Sequence, residues 1–171
     1  MIFLTVGTTK FPFTRLLELA DNTLISLDTK EKVIAQIGSN KYNFRYKNIK
    51  IYSEIPFNKF MYYVSHSRII ISHAGCGTVL SVLKYSKNKP IIIPRCADLK
   101  EQVDNHQIFY SSFLKRGGYA NICYPINQAD KKLLFYIKNS KPLKNKRSNK
   151  LKKLTNKLMN YMENLNTVSQ K

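Results

Sequence analysis

Residues 69–78 read Ile69-Ile70-Ile71-Ser72-His73-Ala74-Gly75-Cys76-Gly77-Thr78 and combine a strand, a glycine turn and the start of a helix. Three consecutive isoleucines are typical of a strand that is buried on both faces of a parallel sheet. The Gly-x-Gly turn leads into apolar residues at helical spacing from Val79 onward. A buried strand followed at once by a helix indicates a βαβ unit, and with it an α/β fold.

The same alternation of strand and helix continues on both sides of this unit. We expect strands at 1–6, 31–37, 49–52, 68–72, 90–94 and 119–123, with helices at about 12–24, 57–65, 78–83, 104–115 and 126–138. Such an order predicts one Rossmann-like domain with a mostly parallel sheet, because parallel neighbours need crossover helices. We place this domain at residues 1–140 and a basic helical tail at 141–171.

The glycine turn is the strongest candidate for a binding site. Ligands of open parallel sheets lie at the carboxyl ends of the strands. The free amides of a helix start and the helix dipole both favour an anion there, and glycines let a phosphate approach the backbone. His73 and Thr78 could add side-chain donors. The alternative is a tight strand-to-helix turn in which the glycines serve geometry alone.

Other chemistries fit this turn poorly. It has no third glycine and no acid about 20 residues later, as a dinucleotide fingerprint requires, and no Gly-Lys-Ser/Thr as in a P-loop. A helix N-terminus lowers the pKa of a thiol, so a nucleophilic Cys76 has to be considered, but no arginine closes the loop as in a phosphatase. The histidines and cysteines lack the spacing of zinc ligands.

A second polar region follows the strand Ile91-Ile92-Ile93. Its hydrogen-bonding residues are Arg95, Asp98, Glu101, Gln102, Asp104, His106 and Gln107. Carboxylates and amides can pair with neighbouring sugar hydroxyls, and an arginine can offset a phosphate. The alternative is a solvated loop before a helix with an acidic first turn, which the helix dipole favours.

The chain carries a formal net charge of +19, and the charge is uneven. Residues 138–171 contain ten Lys or Arg residues and one acid, Glu163, for a net charge of +9. A compositional bias explains part of this excess. The tail, with an amphipathic helix expected at 147–165, could also contact an anionic membrane surface, an acidic partner or, less favourably, nucleic acid. Three cysteines at unrelated spacings fit a reducing cytosol, and no apolar run is long enough to span a bilayer.

The order of these pieces resembles the C-terminal domain of glycosyltransferase family 28. It is most similar to the separate soluble subunit of two-component transferases, which include the eukaryotic subunit that makes dolichol-linked chitobiose and bacterial relatives in exopolysaccharide and capsule synthesis. The residues that carry the resemblance are Phe3-Leu4-Thr5-Val6-Gly7-Thr8, Pro12-Phe13, Arg15-Leu16-Leu17, Ala35-Gln36-Ile37-Gly38, residues 71–78, Lys89-Pro90, Pro94-Arg95, Glu101, Asp104 and His106-Gln107. They extend from residue 3 to about 123 and leave out the tail.

The resemblance implies a single C-terminal-type half of a GT-B glycosyltransferase, together with a set of ligand contacts. The residues implied to bind the diphosphate of UDP are Gly7, Thr8, His73, Ala74, Gly75, Cys76, Gly77, Thr78 and Arg95. Those implied to face the uracil are Ile55, Pro56 and Phe57, and those implied to address the sugar are Glu101, Asp104, His106 and Gln107. No cofactor or metal is expected, and the catalytic base is expected on a partner chain.

The implied activity is a metal-independent, inverting transfer of a hexose from a UDP-sugar to a lipid-linked saccharide. The expected linkage is β1,4, in capsule or exopolysaccharide synthesis. A membrane-anchored partner would bind the acceptor, and the chain would be cytoplasmic and peripheral on the inner face of the membrane. Ser81 departs from the pattern, because relatives usually place a ribose-binding Glu there. The alternative function is a non-catalytic basic binding or regulatory subunit of the same fold.

Overall fold

Strands and helices follow one another in the order that the sequence predicts. The computed structural model describes residues 1–140, and the expected tail at 141–171, with its helix at 147–165, lies outside the described residues. The strands are β1 (Ile2–Thr5), β2 (Val33–Gln36), β3 (Ile49–Tyr52), β4 (Ile69–His73), β5 (Ile91–Ile93) and β6 (Asn121–Ile122). The helices are α1 (Thr14–Ser26), α2 (Phe57–His66), α3 (Cys76–Tyr85), α4 (His106–Arg116) and α5 (Ala129–Lys138).

The six strands form one sheet in the order β3-β2-β1-β4-β5-β6, and every neighbouring pair is parallel. The chain leaves β1 in one direction toward β3 and returns beside β1 as β4 before it continues in the other direction. At such a reversal the loops after the two central strands separate and leave a crevice at their carboxyl ends. The predicted fold class, a Rossmann-like α/β domain, is confirmed.

Helices cover both faces of the sheet. Successive residues of a strand point to opposite faces, so Leu4 packs in the cluster that includes residues of α1 and α5. Phe3 packs on the other face, in a cluster with Val64 of α2 and Val82 of α3. Leu114 of α4 belongs to a third cluster, with residues of β5 and β6. Because both faces are covered, β1 is buried along its whole length, and this explains its continuous apolar sequence.

Several element boundaries differ from the predicted ones by a few residues, and two of these differences have a clear structural reason. The first helix begins at Thr14 rather than near Pro12, because the amide of Phe13 donates to Oδ1 of Asn40 at 2.6 Å and is held outside the helix. The last strand is two residues long, since β6 pairs only with the end of β5. Within residues 1–140, no helix has the length and apolar character needed to cross a bilayer.

Candidate functional site

A cleft of about 490 Å³ opens at the carboxyl ends of β1 and β4, where the direction of the sheet order reverses. The residues that line it are Gly7, Thr8, Thr9, Gln36, Ile55, Phe57, Phe60, His73, Gly75, Gly77, Thr78, Ser81, Gln102, His106 and Gln107. They come from the loop after β1, the ends of β2 and β4, the N-terminal parts of α2, α3 and α4, and the segments just before these helices. The topology therefore brings together segments that are far apart in the sequence.

The imidazole of His73 packs against the backbone of two glycines. A Cβ atom added to Gly7 would lie 2.7 Å from Nε2 of His73, and one added to Gly75 would lie 2.3 Å from the same atom. Gly7 also has a φ of 78°, a left-handed conformation that glycine adopts without strain. Both glycines are therefore needed for the ring to occupy this position.

His73 is neutral at physiological pH. Only 6% of the residue is exposed, and burial lowers its pKa to about 4. The nearby guanidinium of Arg95 lowers this pKa further, and a hydrogen bond with the backbone of Thr5 raises it by a smaller amount.

The first turn of α3 presents unpaired backbone amides at the cleft. Gly75 precedes the helix and supplies no side-chain cap. The amide of Val79 donates to the carbonyl of Gly75 at 2.9 Å, so the amides of Cys76, Gly77 and Thr78 precede the first intrahelical bond. A Cβ atom added to Gly77 would meet no atom within 4 Å, which leaves open space beside its backbone. Together with the helix dipole, these amides favour an anion.

Gln107 joins the start of α4 to the ends of two strands. Its Oε1 accepts hydrogen bonds from the amides of Ala74 at 3.1 Å and Arg95 at 3.2 Å. The residue is only 2% exposed, yet it lines the cleft. Because the amide of Ala74 is already bonded to Gln107, the structure argues against its predicted contact with a diphosphate.

Most of the predicted site residues lie in this one cleft. Those that line it are Gly7, Thr8, Ile55, Phe57, His73, Gly75, Gly77, Thr78, His106 and Gln107. Those that do not line it are Pro56, Ala74, Cys76, Arg95, Glu101 and Asp104. The contacts of the first group with a ligand stay predictions, and the positions of several in the second group require a different interpretation.

Arg95 lies beneath the cleft and not in it. The residue is fully buried, and its Nη1 donates to the carbonyls of Phe11 at 2.9 Å, Pro12 at 3.2 Å and Glu101 at 3.0 Å. Its Nη2 donates to the carbonyl of Val6 at 2.9 Å. The predicted role of Arg95 as a diphosphate ligand is therefore corrected, because the backbone already occupies both terminal nitrogens.

Glu101 is likewise a buried structural residue. Its carboxylate accepts hydrogen bonds from Nε and Nη2 of Arg15, each at 2.8 Å, and from the amide of Cys96 at 2.9 Å. Only 5% of the residue is exposed. We therefore correct its predicted sugar contact. The sequence did not show the pairing, because Arg15 lies 86 positions away from Glu101.

Asp104 and His106 form a pair at the start of α4. Oδ1 of Asp104 accepts from the amide of His106 at 3.0 Å and also contacts its Nδ1. The pKa of Asp104 is lowered, mainly by the hydrogen bond from the amide and secondly by the contact with the imidazole. Asp104 thus binds the start of its own helix, and only His106 of the pair lines the cleft.

The thiol of Cys76 is half-buried, and burial raises its pKa, with Tyr110 acting in the opposite direction. This shift is opposite to the lowering of the thiol pKa that is expected at a helix N-terminus. A protonated thiol is a poor nucleophile. The structure therefore supports a structural role for Cys76.

Three cleft residues were missed at the level of sequence: Thr9, Gln36 and Phe60. Gln36 is the clearest of them. Its Oε1 accepts from the hydroxyl of Thr5 at 2.8 Å, and the same hydroxyl oxygen accepts from the amide of Gly7 at 3.2 Å. A single glutamine at the end of the otherwise apolar Val33–Gln36 strand was the signal that could have identified it.

The part of the cleft that residues 1–140 line contains no Asp, Glu, Lys or Arg. None of its lining residues carries a carboxylate, and its buried imidazole is neutral. Among residues 1–140, no three His, Cys, Asp or Glu side chains are grouped as a metal ion would need. The surroundings thus offer amides, hydroxyls and a neutral imidazole, which are donors suited to an anionic ligand.

Comparison with known proteins identifies the family. Residues 1–163 match the glycosyltransferase family 28 C-terminal domain, and the chain belongs to this family. The match extends beyond residue 142, further than the resemblance inferred from individual motifs. It therefore includes most of the basic tail.

Solved structures show the same fold. A structure described as the glycotransferase of kitacinnamycin has a TM-score of 0.64 and 14% identity, and the match covers 99% of this chain and 42% of that one. MurG of Acinetobacter baumannii has a TM-score of 0.58 and 21% identity, with 81% and 41% covered. The chain therefore spans about two fifths of each, and the likeness is one of fold, that of a GT-B glycosyltransferase domain. Among curated proteins, none matches the chain.

Proposed function

We propose that this chain is the nucleotide-sugar-binding half of a glycosyltransferase. It holds a UDP-sugar in the cleft, and a separate membrane-anchored chain binds the acceptor. Membership of the family supports glycosyl transfer. The observation that carries the proposal is the first turn of α3, where unpaired amides meet open space beside Gly77 at the reversal of the sheet order.

The diphosphate fits this turn on chemical grounds. The amides of Cys76, Gly77 and Thr78 supply donors, and a neutral His73 can donate one more hydrogen bond to a phosphate oxygen. None of the lining residues that the structure describes carries a carboxylate that would repel the anion. The net charge of +19 also attracts an anionic ligand over longer distances. A cleft of about 490 Å³ lies within the usual range for small-molecule sites.

The nucleoside and the sugar would occupy opposite ends of the cleft. Phe57, which is 71% exposed, and the neighbouring Ile55 offer apolar surface to a uracil. Ser81 lies one helical turn beyond Thr78, on the side where a ribose would extend. His106 and Gln107 of α4 form the other wall and are the candidates for sugar hydroxyls.

The rest of the enzyme would lie on the partner chain. A glycosyl acceptor must lose a proton, which requires a base. With a pKa of about 4, His73 is a weak base, and none of the cleft residues within 1–140 carries a carboxylate. We therefore place the base on the partner and expect metal-independent, inverting transfer of a hexose. The proposed product is a β1,4-linked, lipid-linked saccharide of capsule or exopolysaccharide, made at the inner membrane face.

A non-catalytic subunit of the same fold is the alternative function. Ser81 favours it, because a serine lacks the negative charge and the second oxygen with which a carboxylate can accept from two neighbouring ribose hydroxyls. Such a subunit would leave the cleft unoccupied at millimolar UDP. Binding therefore separates the two functions.

Amide NMR spectra of the labelled chain, recorded during addition of UDP with a chelator present, test the proposal. We expect the largest shifts at residues 7–9 and 75–78. The amide of Arg68, which precedes β4 at the opposite end of the sheet, serves as the internal control. Shifts centred away from the α3 turn, or none at millimolar UDP, would show that the function is assigned wrongly.

A further inference from the structure

We propose that Arg95 is a positioning residue, whose buried guanidinium joins the loop after β1 to the loop after β5 and so fixes the two walls of the cleft. The inference deepens the proposed function, on which it rests for the identity of the ligand. The geometry of the brace does not depend on that identity.

The acceptors of Arg95 lie in two separate loops. Val6, at 2.9 Å, and Phe11, at 2.9 Å, belong to the connection between β1 and α1. The carbonyl of Glu101, at 3.0 Å, belongs to the connection between β5 and α4. A planar guanidinium offers donors on separate nitrogens in a fixed geometry, whereas lysine has a single nitrogen. Bridging these loops therefore requires an arginine.

A second arginine, Arg15 of α1, also bonds to the loop after β5. Nη2 of Arg15, on α1, donates to the carbonyl of Pro94 and to the carboxylate of Glu101, each at 2.8 Å. The guanidinium carbons of Arg95 and Arg15 lie 4.5 Å and 5.2 Å from the centre of the Phe13 ring. The two arginines and the ring thus form one brace, in which Arg95 and Phe13 are fully buried and Arg15 is partly exposed.

The braced loops carry the ligand-facing residues. Gly7 and Thr8 directly follow Val6, while Gln102 directly follows Glu101. The amide of Arg95 also donates to Gln107, a lining residue. Displacement of either loop would therefore move residues on both sides of the cleft.

The brace also places positive charge below the cleft. Two guanidinium groups lie near a single carboxylate, that of Glu101, which pairs with Arg15. Burial lowers the pKa of Arg95 only to about 10, so Arg95 stays protonated. The guanidinium is near enough to His73 to lower the pKa of that imidazole. A fixed charge in a dry environment favours an anion above it.

Two substitutions separate the geometry from the charge. Arg95→Lys keeps the positive charge and removes the planar guanidinium with its separate donor nitrogens. We expect this variant to bind UDP at least about tenfold more weakly, because small displacements of site residues are costly. Amide exchange should become faster in residues 6–12 and 94–102 and stay unchanged in β2. Arg95→Met should also raise the pKa of His73 in the ligand-free protein. Arg68→Lys is the matched control, because Arg68 pairs with Glu31 at the opposite end of the sheet.

The outcomes of this experiment are distinct. Unchanged exchange and unchanged UDP affinity in a folded Arg95→Lys protein would overturn the inference and leave the proposed function intact. A wild-type chain that does not bind UDP would defeat the proposed function, while exchange and the pKa of His73 still test the brace. If Arg95→Lys does not fold, the wild-type guanidinium protons of Arg95 decide: slow exchange supports the brace, and rapid exchange overturns it.

Discussion

At the scale of the residue, the surroundings of a side chain decide its role more than its chemical type does. His73 and His106 both line the cleft, but the first is packed between two glycine backbones and the second is exposed and paired with Asp104. Arg95 and Glu101 have the chemistry of ligand contacts and are instead bonded inside the protein. Only residues that face the cleft, and are not fully bonded inside the protein, are therefore candidates for ligand contacts at this site.

The stability of the protein should depend on pH through His73. Its folded pKa is about 4 and its ordinary value is 6.5. Between these values the unfolded state binds more protons, so the free energy of unfolding falls as the pH drops from 6.5 to 4, by roughly 3 kcal/mol in total. Urea denaturation at several pH values should show this loss, and His73→Gln should reduce it. Equal pH dependence in both proteins would contradict the burial of a neutral imidazole. His106→Gln, which removes an exposed imidazole, is the control.

Ser81→Glu should raise the affinity for UDP. Ser81 is half-buried on the cleft wall, and a carboxylate there could accept from both ribose hydroxyls. Hydrogen bonds to a charged group contribute about 1.5–3 kcal/mol each. Calorimetric titration measures the change, with Ser81→Gln as the uncharged control. Equal or weaker binding by Ser81→Glu would mean that the ribose is recognised elsewhere.

At the scale of the element, the start of α3 combines a position that tolerates a side chain with one that does not. Gly75 precedes the helix against the ring of His73, whereas Gly77 lies inside the helix beside open space. The same residue type therefore has two functions two positions apart. One provides room for His73, and the other leaves an approach to the amides.

Alanine substitutions should separate these two functions. Gly75→Ala places a Cβ atom 2.3 Å from Nε2 of His73 and should cost about 1–3 kcal/mol of stability through overpacking. Gly77→Ala meets no atom within 4 Å and should stabilise the helix by about 0.5–1 kcal/mol. Thermal denaturation of both variants provides the comparison. A larger loss of stability from Gly77→Ala than from Gly75→Ala would contradict the geometry.

The elements themselves could be predicted from the sequence because their signals are local. Apolar runs such as Ile69-Ile70-Ile71 identify buried strands, and the glycine turn after them predicts free helix amides. The start of α1 could not be predicted, since it depends on Asn40, 27 positions from Phe13. The roles of Arg95 and Glu101 escaped prediction for the same reason, because their partners become neighbours only in the folded sheet.

At the scale of the whole molecule, the chain spans about two fifths of each structural neighbour. The described part of the chain supplies one side of the site, with hydrogen-bond donors for an anion. None of the lining residues in that part carries a carboxylate that could act as a base. A transferase needs donor and acceptor oriented together, and this orientation contributes several kcal/mol to catalysis. The proposed partner would supply the acceptor site and the base.

The isolated chain should therefore transfer sugar poorly. We expect product from a UDP-sugar and a lipid-linked acceptor to increase strongly when membranes that contain the partner chain are added. The combination of partner and Gly77→Val chain is the control and should stay at background. Full transfer by the chain alone would contradict the division of the site between two chains.

Binding of UDP in the absence of metal tests the central claim most directly. Calorimetric titration of UDP into the chain, with a chelator present, should show saturable binding at one site. Gly77→Val, whose side chain would project into open space and block the amides, should stay folded and lose this binding. Undiminished affinity in a folded Gly77→Val protein, or no binding by the wild-type chain, would contradict the placement of the nucleotide at the start of α3.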